Sequence, residues 1–170
     1  AAVTLETEQF IGYLANSDKS ILAQGDSSGN LAIHLCAQAG KVDTIAYMLK
    51  IQPDLVHAKN HEGLTPLMYA IQYDQLESMN HLINAGANIN ETLPNGLFPL
   101  YMALQRNFTQ LAMALLNRPG LDLNKTLDSF MTALHLAIQS EELALALRLV
   151  KNGATCTIAR KSDGYTALHM

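Results

Sequence analysis

MTALHLAIQSE, residues 131–141, is one copy of a motif that recurs along the chain at an almost constant interval. The other copies are NLAIHLCAQAG (30–40), LTPLMYAIQYD (64–74), LFPLYMALQRN (97–107) and the shorter YTALHM (165–170). An aliphatic residue, which we call the anchor position, stands at the same place in each copy: Ile33, Leu67, Leu100, Leu134 and Leu168. Successive anchors are 34, 33, 34 and 34 residues apart. A period of this length is typical of stacked structural repeats.

Each copy begins with a stretch that has the spacing of an amphipathic helix. Apolar residues follow the anchor after three and four positions, as at Leu67, Ala70 and Ile71, and so share one helix face. Twelve residues after the anchor a second stretch of this kind begins, as at Met79 and Leu82. The pattern predicts an all-α fold built from antiparallel helix pairs.

Residues at the edges of these stretches predict where the helices start and stop. Thr65 and Thr132 precede the first helices, where a hydroxyl can accept a hydrogen bond from a free backbone N–H. Gly86 and Gly153 follow the second helices and suit a left-handed C-terminal residue. Polar, turn-rich segments such as NINETLPNG (88–96) come next and predict projecting loops.

The period divides the chain into six segments. They are an N-terminal half-repeat with a second helix only (1–25), four repeats (26–59, 60–92, 93–126 and 127–160) and the start of a fifth (161–170). Because the chain begins and ends within a repeat, we expect it to be a fragment of a longer protein.

Three short motifs identify the family that these repeats resemble. They are ThrProLeu at 65–67, ThrAlaLeuHis at 132–135 and 166–169, and GlyAla at 86–87 and 153–154. In this combination and register they resemble ankyrin repeats over about residues 26–170, with a half-repeat before them. Phe130 departs from the pattern, because the family usually has a glycine there.

The resemblance implies a solenoid of stacked helix pairs with projecting finger loops and a concave groove between the fingers and the first helices. It implies a module that binds another protein through this groove and performs no chemistry of its own. By register, the residues expected to bind the partner are Lys59, His61, Glu62, Gln72, Tyr73, Asn95, Gln105, Arg106, Gln139 and Arg160. We expect a monomer in the cytoplasm, or in the host cytoplasm if the chain is a secreted bacterial effector. The alternative is a targeting or regulatory module of a larger multidomain enzyme or of a host-directed bacterial effector.

A glutamine stands five residues after each of the first four anchors. The four are Gln38, Gln72, Gln105 and Gln139. Stacked repeats would align these amides in a row that could bond to a partner. Glutamine is also simply a good helix former on a solvated face, and this structural interpretation is the stronger of the two.

Composition excludes several functions. The 170 residues carry 11 basic and 15 acidic side chains, so no overall positive field attracts nucleic acid. No apolar stretch approaches the roughly 18 to 20 residues that span a bilayer, and we expect no membrane insertion. No phosphate-binding glycine motif occurs, and we expect no cofactor.

Histidine and cysteine give weak chemical signals. His57, His61 and Glu62 could form a zinc pair with distant His81, but they lie in a loop and lack the helical HExxH spacing, so we predict no metal site. Cys36 lies in an apolar helix stripe, which predicts an inert thiol. We therefore expect no catalytic residues.

Three histidines share the register just after the anchor. They are His34, His135 and His169. An imidazole at this place can bond to the capping threonine or to a neighbouring repeat. We interpret all three as structural.

Overall fold

A computed structural model describes residues 22–127, 129 and 131–169 of the chain. These residues form eight α-helices: α1 Ala32–Gln38, α2 Val42–Ile51, α3 Pro66–Gln72, α4 Leu76–Asn84, α5 Pro99–Gln105, α6 Thr109–Leu116, α7 Ala133–Gln139 and α8 Leu143–Lys151. Short 3-10 helices span Pro53–His57 and Ala167–His169. The predicted all-α fold is confirmed. The expected helix within residues 1–25 and the turn at Phe130 lie outside the described residues.

The chain divides into two compact units. Unit 1 ends at Asn88 and unit 2 begins at Ile89. In unit 1 the first helices, α1 and α3, pack side by side, and so do the second helices, α2 and α4. Unit 2 repeats this arrangement, with α5 against α7 and α6 against α8. Over the described residues, each unit therefore shows two stacked helix pairs, as the period predicts.

The anchor residues form the core of each unit. Ile33, Leu67, Leu100 and Leu134 are at most 1% exposed, which confirms their predicted burial. Leu168 differs, because it is 77% exposed. It belongs to a 3-10 helix and not to an α-helix, and no second helix follows it in the described residues.

One face of the last helix pair is apolar and open. Leu143, Leu147 and Val150 on α8 are exposed, together with Leu168. They line a hollow of about 410 Å³ with Leu134, Ile138, Ala146, Cys156 and Ala167. The same helix buries Leu149 on its other face, so α8 is apolar on two sides.

The predicted helix caps are present. The hydroxyl oxygen of Thr65 accepts from the Met68 N–H at 3.3 Å, and that of Thr132 accepts from the His135 N–H at 3.4 Å. Gly86 and Gly153 end their helices with φ values of 98° and 97°, in the left-handed region that glycine tolerates best.

A second left-handed position lies in each turn between the two helices of a pair. It is the seventh residue after the anchor: Gly40, Asp74, Asn107 and Glu141, with φ values of 69°, 56°, 57° and 59°. Glycine and asparagine accept this conformation more readily than glutamate does. The sequence pattern did not indicate this requirement.

Candidate partner-binding surfaces

His34 is a buried side chain that joins two neighbouring repeats of unit 1 by a hydrogen bond. The Leu31 N–H donates to its Nδ1 at 3.1 Å, so the ring proton lies on Nε2. Nε2 lies 3.1 Å from the Leu64 carbonyl oxygen, to which it donates. Burial lowers the pKa of His34, because the charged imidazolium would lose its hydration. Because Nδ1 accepts, the ring is neutral, and its hydrogen bond to the next repeat is that of a structural group, the role predicted for it.

A network of amide and phenol groups joins the fingers of unit 1 near their tips. Asn60 is buried, and its Oδ1 accepts from the backbone N–H groups of Glu62 and Leu64 at 3.0 and 2.9 Å. Its Nδ2 donates to Asn30 Oδ1 at 2.8 Å, and the Tyr69 hydroxyl donates to the same oxygen at 2.6 Å. This network holds the finger at Asn60–Leu64 against the preceding one. It was not predicted from the sequence.

The first helices of unit 1 expose aromatic and aliphatic side chains. The rings of Tyr69 and Tyr73 stack with centroids 6.2 Å apart. Tyr73 is 43% exposed and Leu35 on the neighbouring helix is 47% exposed. Leu35 and Tyr69 both stand two residues after their anchors, so they occupy the same place on the adjacent helices α1 and α3. Gln72, predicted to bind the partner, is half-buried beside Tyr73.

The finger tip of unit 1 presents three of the predicted residues. Lys59, His61 and Glu62 are all exposed. The His61 backbone N–H donates to the Ser28 carbonyl at 3.0 Å, and its imidazole lies against Gly29, where any added Cβ would come within 2.5 Å of the ring. Unit 1 therefore brings Lys59, His61 and Glu62 together at one supported tip.

The predicted residues of unit 2 divide into exposed and engaged groups. Gln105, Arg106 and Gln139 are exposed at the ends of the first helices. Asn95 is exposed, but its Oδ1 accepts from a backbone N–H of its own turn. Arg160 is half-buried and donates both Nε and Nη2 to the Asp163 carboxylate, the former at 3.2 Å.

His135 in unit 2 has the same register as His34 but a different environment. Its Nδ1 accepts from the Thr132 N–H at 3.3 Å and lies 2.8 Å from the Thr132 hydroxyl, which leaves the proton on Nε2. Within the described residues, this buried Nε2 has no hydrogen-bond partner. Burial lowers the pKa of His135 as well.

Asparagine side chains join the loops of unit 2 at a different place, after the second helices. Asn90 Nδ2 donates to the Gly120 carbonyl at 2.7 Å, and Asn90 Oδ1 accepts from the Asp122 N–H at 2.8 Å. Asn124, 34 residues later, accepts from the Thr155 N–H at 2.7 Å. The repeated spacing of Asn90 and Asn124 was a sequence signal for this ladder, and it was missed.

Groups that could support chemistry are sparse in this fold. Over residues 22–127, 129 and 131–169, no three His, Cys, Asp or Glu side chains lie close enough together to hold a metal ion. Cys36 is a free, half-buried thiol, and burial raises its pKa, which opposes formation of the nucleophilic thiolate. Among the same residues no helix has the length and apolarity to cross a membrane.

Comparison with known proteins agrees with the repeat geometry. A family model described as ankyrin repeats in three copies matches residues 1–92 and 77–160. The crystal structure of the ankyrin repeat domain of Bcl-3, described as a unique member of the IkappaB protein family, aligns with a TM-score of 0.86 at 26% identity. The alignment covers 97% of this chain and 73% of that one.

Curated relatives match over shorter stretches. Human NF-kappa-B inhibitor zeta is 25% identical over 113 residues, 65% of this chain and 16% of the relative. Inversin from Danio rerio is 33% identical over 86 residues, 51% of this chain and 8% of the relative. Ankyrin repeat protein nuc-2 from Neurospora crassa is 26% identical over 91 residues, 54% and 8% respectively. The chain therefore spans at most 16% of the length of these three relatives.

Proposed function

Because this chain belongs to the ankyrin-repeat family, we propose that it binds a protein partner through its finger tips and the exposed ends of its first helices, and performs no chemistry itself. The partner-facing residues in this proposal are Lys59, His61, Glu62, Gln72, Tyr73, Asn95, Gln105, Arg106, Gln139 and Arg160. Gln105, Arg106 and Gln139 offer polar contacts from unit 2. Asn95 and Arg160 are already engaged within their own turns and contribute less.

The observation that carries the proposal is the exposed surface of unit 1, which rests on a hydrogen-bonded frame. Asn60 and His34 fix the backbone beneath it, while Tyr73 and Glu62 remain exposed above it. Such a surface loses little conformational entropy when a partner binds, because its backbone is already ordered. Tyrosine is also enriched among the residues that dominate binding energy at protein interfaces.

The chemistry of the buried groups supports binding over catalysis. His34 and His135 are buried and bonded to the backbone at helix starts, where they have no access to a substrate. The raised pKa of Cys36 favours the unreactive thiol. These features are those of packing groups.

A cross-linked pull-down from a cytosolic lysate tests the proposal. The chain is compared with a variant in which His61, Glu62, Gln72 and Asn95 are all replaced by alanine. A matched control replaces four exposed residues of the second helices by alanine: Lys50, Glu77, Gln110 and Lys151. Circular dichroism verifies that both variants keep their helix content.

We call the variant with alanine at His61, Glu62, Gln72 and Asn95 the finger variant. We expect at least one protein, identified by mass spectrometry, to bind the chain and the control but not the finger variant. Equal retention by all three would show that the fingers are not the interface. Loss from the control alone would place the interface on the second helices and contradict the proposal.

A further inference from the structure

The first helices of the two units expose different chemistry at equivalent positions. Six residues after the anchor, unit 1 has Ala39 and Tyr73, whereas unit 2 has Arg106 and Ser140. Two residues after the anchor, Leu35 is exposed in unit 1, while Met102 in unit 2 is buried. Unit 1 therefore presents an apolar and aromatic surface where unit 2 presents a polar one.

The two units also differ in charge. Unit 1 carries nine acidic and four basic side chains, and unit 2 carries six acidic and seven basic ones. Glu62 and Asp74 are exposed on unit 1, the first at the finger tip and the second next to Tyr73 in sequence. Lys59 and His61 are the basic groups at that tip. The net acidity of unit 1 favours a basic partner.

Hydrogen bonds and ring stacking link the backbone of Glu62 to Tyr73 through Asn60 and Tyr69. Tyr73 stacks on Tyr69, whose hydroxyl lies 3.3 Å from Asn60 Nδ2. Asn60 Oδ1 in turn accepts from the backbone N–H of Glu62 at 3.0 Å. The Glu62 carboxylate has no ion-pair partner in the part of the chain that the structure describes. It is available to a cation from outside.

We propose that this surface of unit 1, formed by Leu35, Glu62, Tyr69, Tyr73 and Asp74, binds an arginine-containing basic segment of a partner protein. The inference rests on the proposed protein-binding function. A guanidinium group stacks on an exposed tyrosine ring and pairs with carboxylates, so one residue type satisfies both features of the surface. The aliphatic parts of the segment cover Leu35 and Tyr73.

Fluorescence anisotropy with a labelled synthetic peptide tests this assignment. The probe alternates arginine with leucine and alanine, and two further peptides replace each arginine by lysine or by glutamate. We expect the affinity to fall in the order arginine, lysine, glutamate, with at least about a tenfold difference between the first and last. Binding of the arginine peptide should weaken as salt is added, because the carboxylates are exposed.

Substitutions in the chain then localise the peptide. Tyr73→Ala should weaken binding of the arginine peptide about two- to fivefold, the range expected for an exposed cation–π contact, and Glu62→Gln should reduce the salt dependence. Glu77→Gln, an exposed acid on α4, and Gln110→Ala on α6 of unit 2 are the matched controls and should leave binding unchanged.

Equal affinity for the arginine and glutamate peptides would overturn the assignment, and so would a loss that is no larger in Tyr73→Ala than in Glu77→Gln. These results differ from a failure of the proposed function. If a partner found by pull-down is lost with the finger variant but binds without any basic segment, protein binding holds and the assignment to arginine is wrong.

Discussion

Unit 1 and unit 2 have the same helix pairs, and each joins its finger tips by a backbone hydrogen bond, from His61 to Ser28 and from Lys161 to Ser129. The asparagine side chains that connect their loops lie at different places. In unit 1 the connection is near the finger tips, where Asn60 bonds to Asn30. In unit 2 it lies after the second helices, where Asn90 bonds to Gly120 and Asp122. The helical period thus specifies the stacked helices, while the cross-repeat hydrogen bonds vary between repeats without loss of the fold.

The two buried histidines show the effect of this difference. In unit 1 the Leu64 carbonyl accepts from both Asn60 N–H and His34 Nε2. In unit 2 the corresponding turn runs from Arg160 to Tyr165 and is one residue longer than Asn60–Leu64. His135 Nε2 finds no acceptor there among the described residues. The two fingers thus differ in length by one residue, and the two histidines differ in the hydrogen bonding of Nε2.

The largest expected effect tests whether the two cores are equivalent. Leu67→Ala in unit 1 and Leu100→Ala in unit 2 should each lower the free energy of unfolding by about 2 to 5 kcal/mol, because both side chains are fully buried and leave a cavity. Leu168→Ala is the control at an exposed anchor and should change stability by less than about 0.5 kcal/mol. Urea unfolding measures all three. A loss below about 0.5 kcal/mol for Leu100→Ala would contradict the assignment of the unit 2 core.

Replacing one asparagine at a time distinguishes the finger-tip connection of unit 1 from the connection after the second helices of unit 2. Asn60→Ala and Asn90→Ala should each cost about 1 to 3 kcal/mol, since each leaves backbone groups without their partners. Hydrogen exchange should locate the damage. The Leu64 amide should lose protection in the first variant only, and the Asp122 amide in the second only. If both amides lose protection equally in both variants, the connections are not local.

Acid should destabilise both units through their histidines. Burial lowers the folded-state pKa of His34 and His135 below the value of 6.5 that the unfolded chain retains. The stability that the two neutral histidines contribute is therefore fully present above about pH 6.5. It falls as the pH drops toward the folded-state pKa and changes no further below it. The loss is at most about 1.4 kcal/mol per pH unit for each histidine.

Urea unfolding between pH 7.5 and pH 5 measures this slope. His34→Gln and His135→Gln should each reduce it, because protonation of Nδ1 removes the acceptor for Leu31 in unit 1 and for Thr132 in unit 2. An unchanged slope in both variants would show that other groups control the acid response.

The smallest effect concerns the left-handed turn residues. Glu141→Asn should stabilise unit 2 by about 0.5 to 1 kcal/mol, because asparagine tolerates a φ of 59° better than glutamate does. The reverse change, Asn107→Glu, should destabilise by a similar amount and serves as the matched control. A lower thermal midpoint for Glu141→Asn than for the parent chain would contradict this explanation.

Much of the fold could be predicted from the sequence because it depends on the spacing of residues within one helix pair. The anchor at every 33 to 34 residues, the apolar stripe behind it and the threonine before Leu67 and Leu134 all act within one helix pair. Burial of Leu100 and capping by Thr132 followed directly. Lys59, His61 and Glu62 are exposed. Their role in binding stays a prediction.

The hydrogen bonds that support the candidate surface could not be predicted from local spacing. Asn30 and Asn60 are 30 residues apart, outside the repeat period, and Tyr69 joins them from the next helix. Nor did the sequence distinguish His34 from His135, whose local motifs are similar. Periodicity determined the helices and their buried faces, since these depend on residues close together in the chain. The tertiary structure alone decided which finger bonds to which, because those hydrogen bonds depend on distances between loops from different repeats.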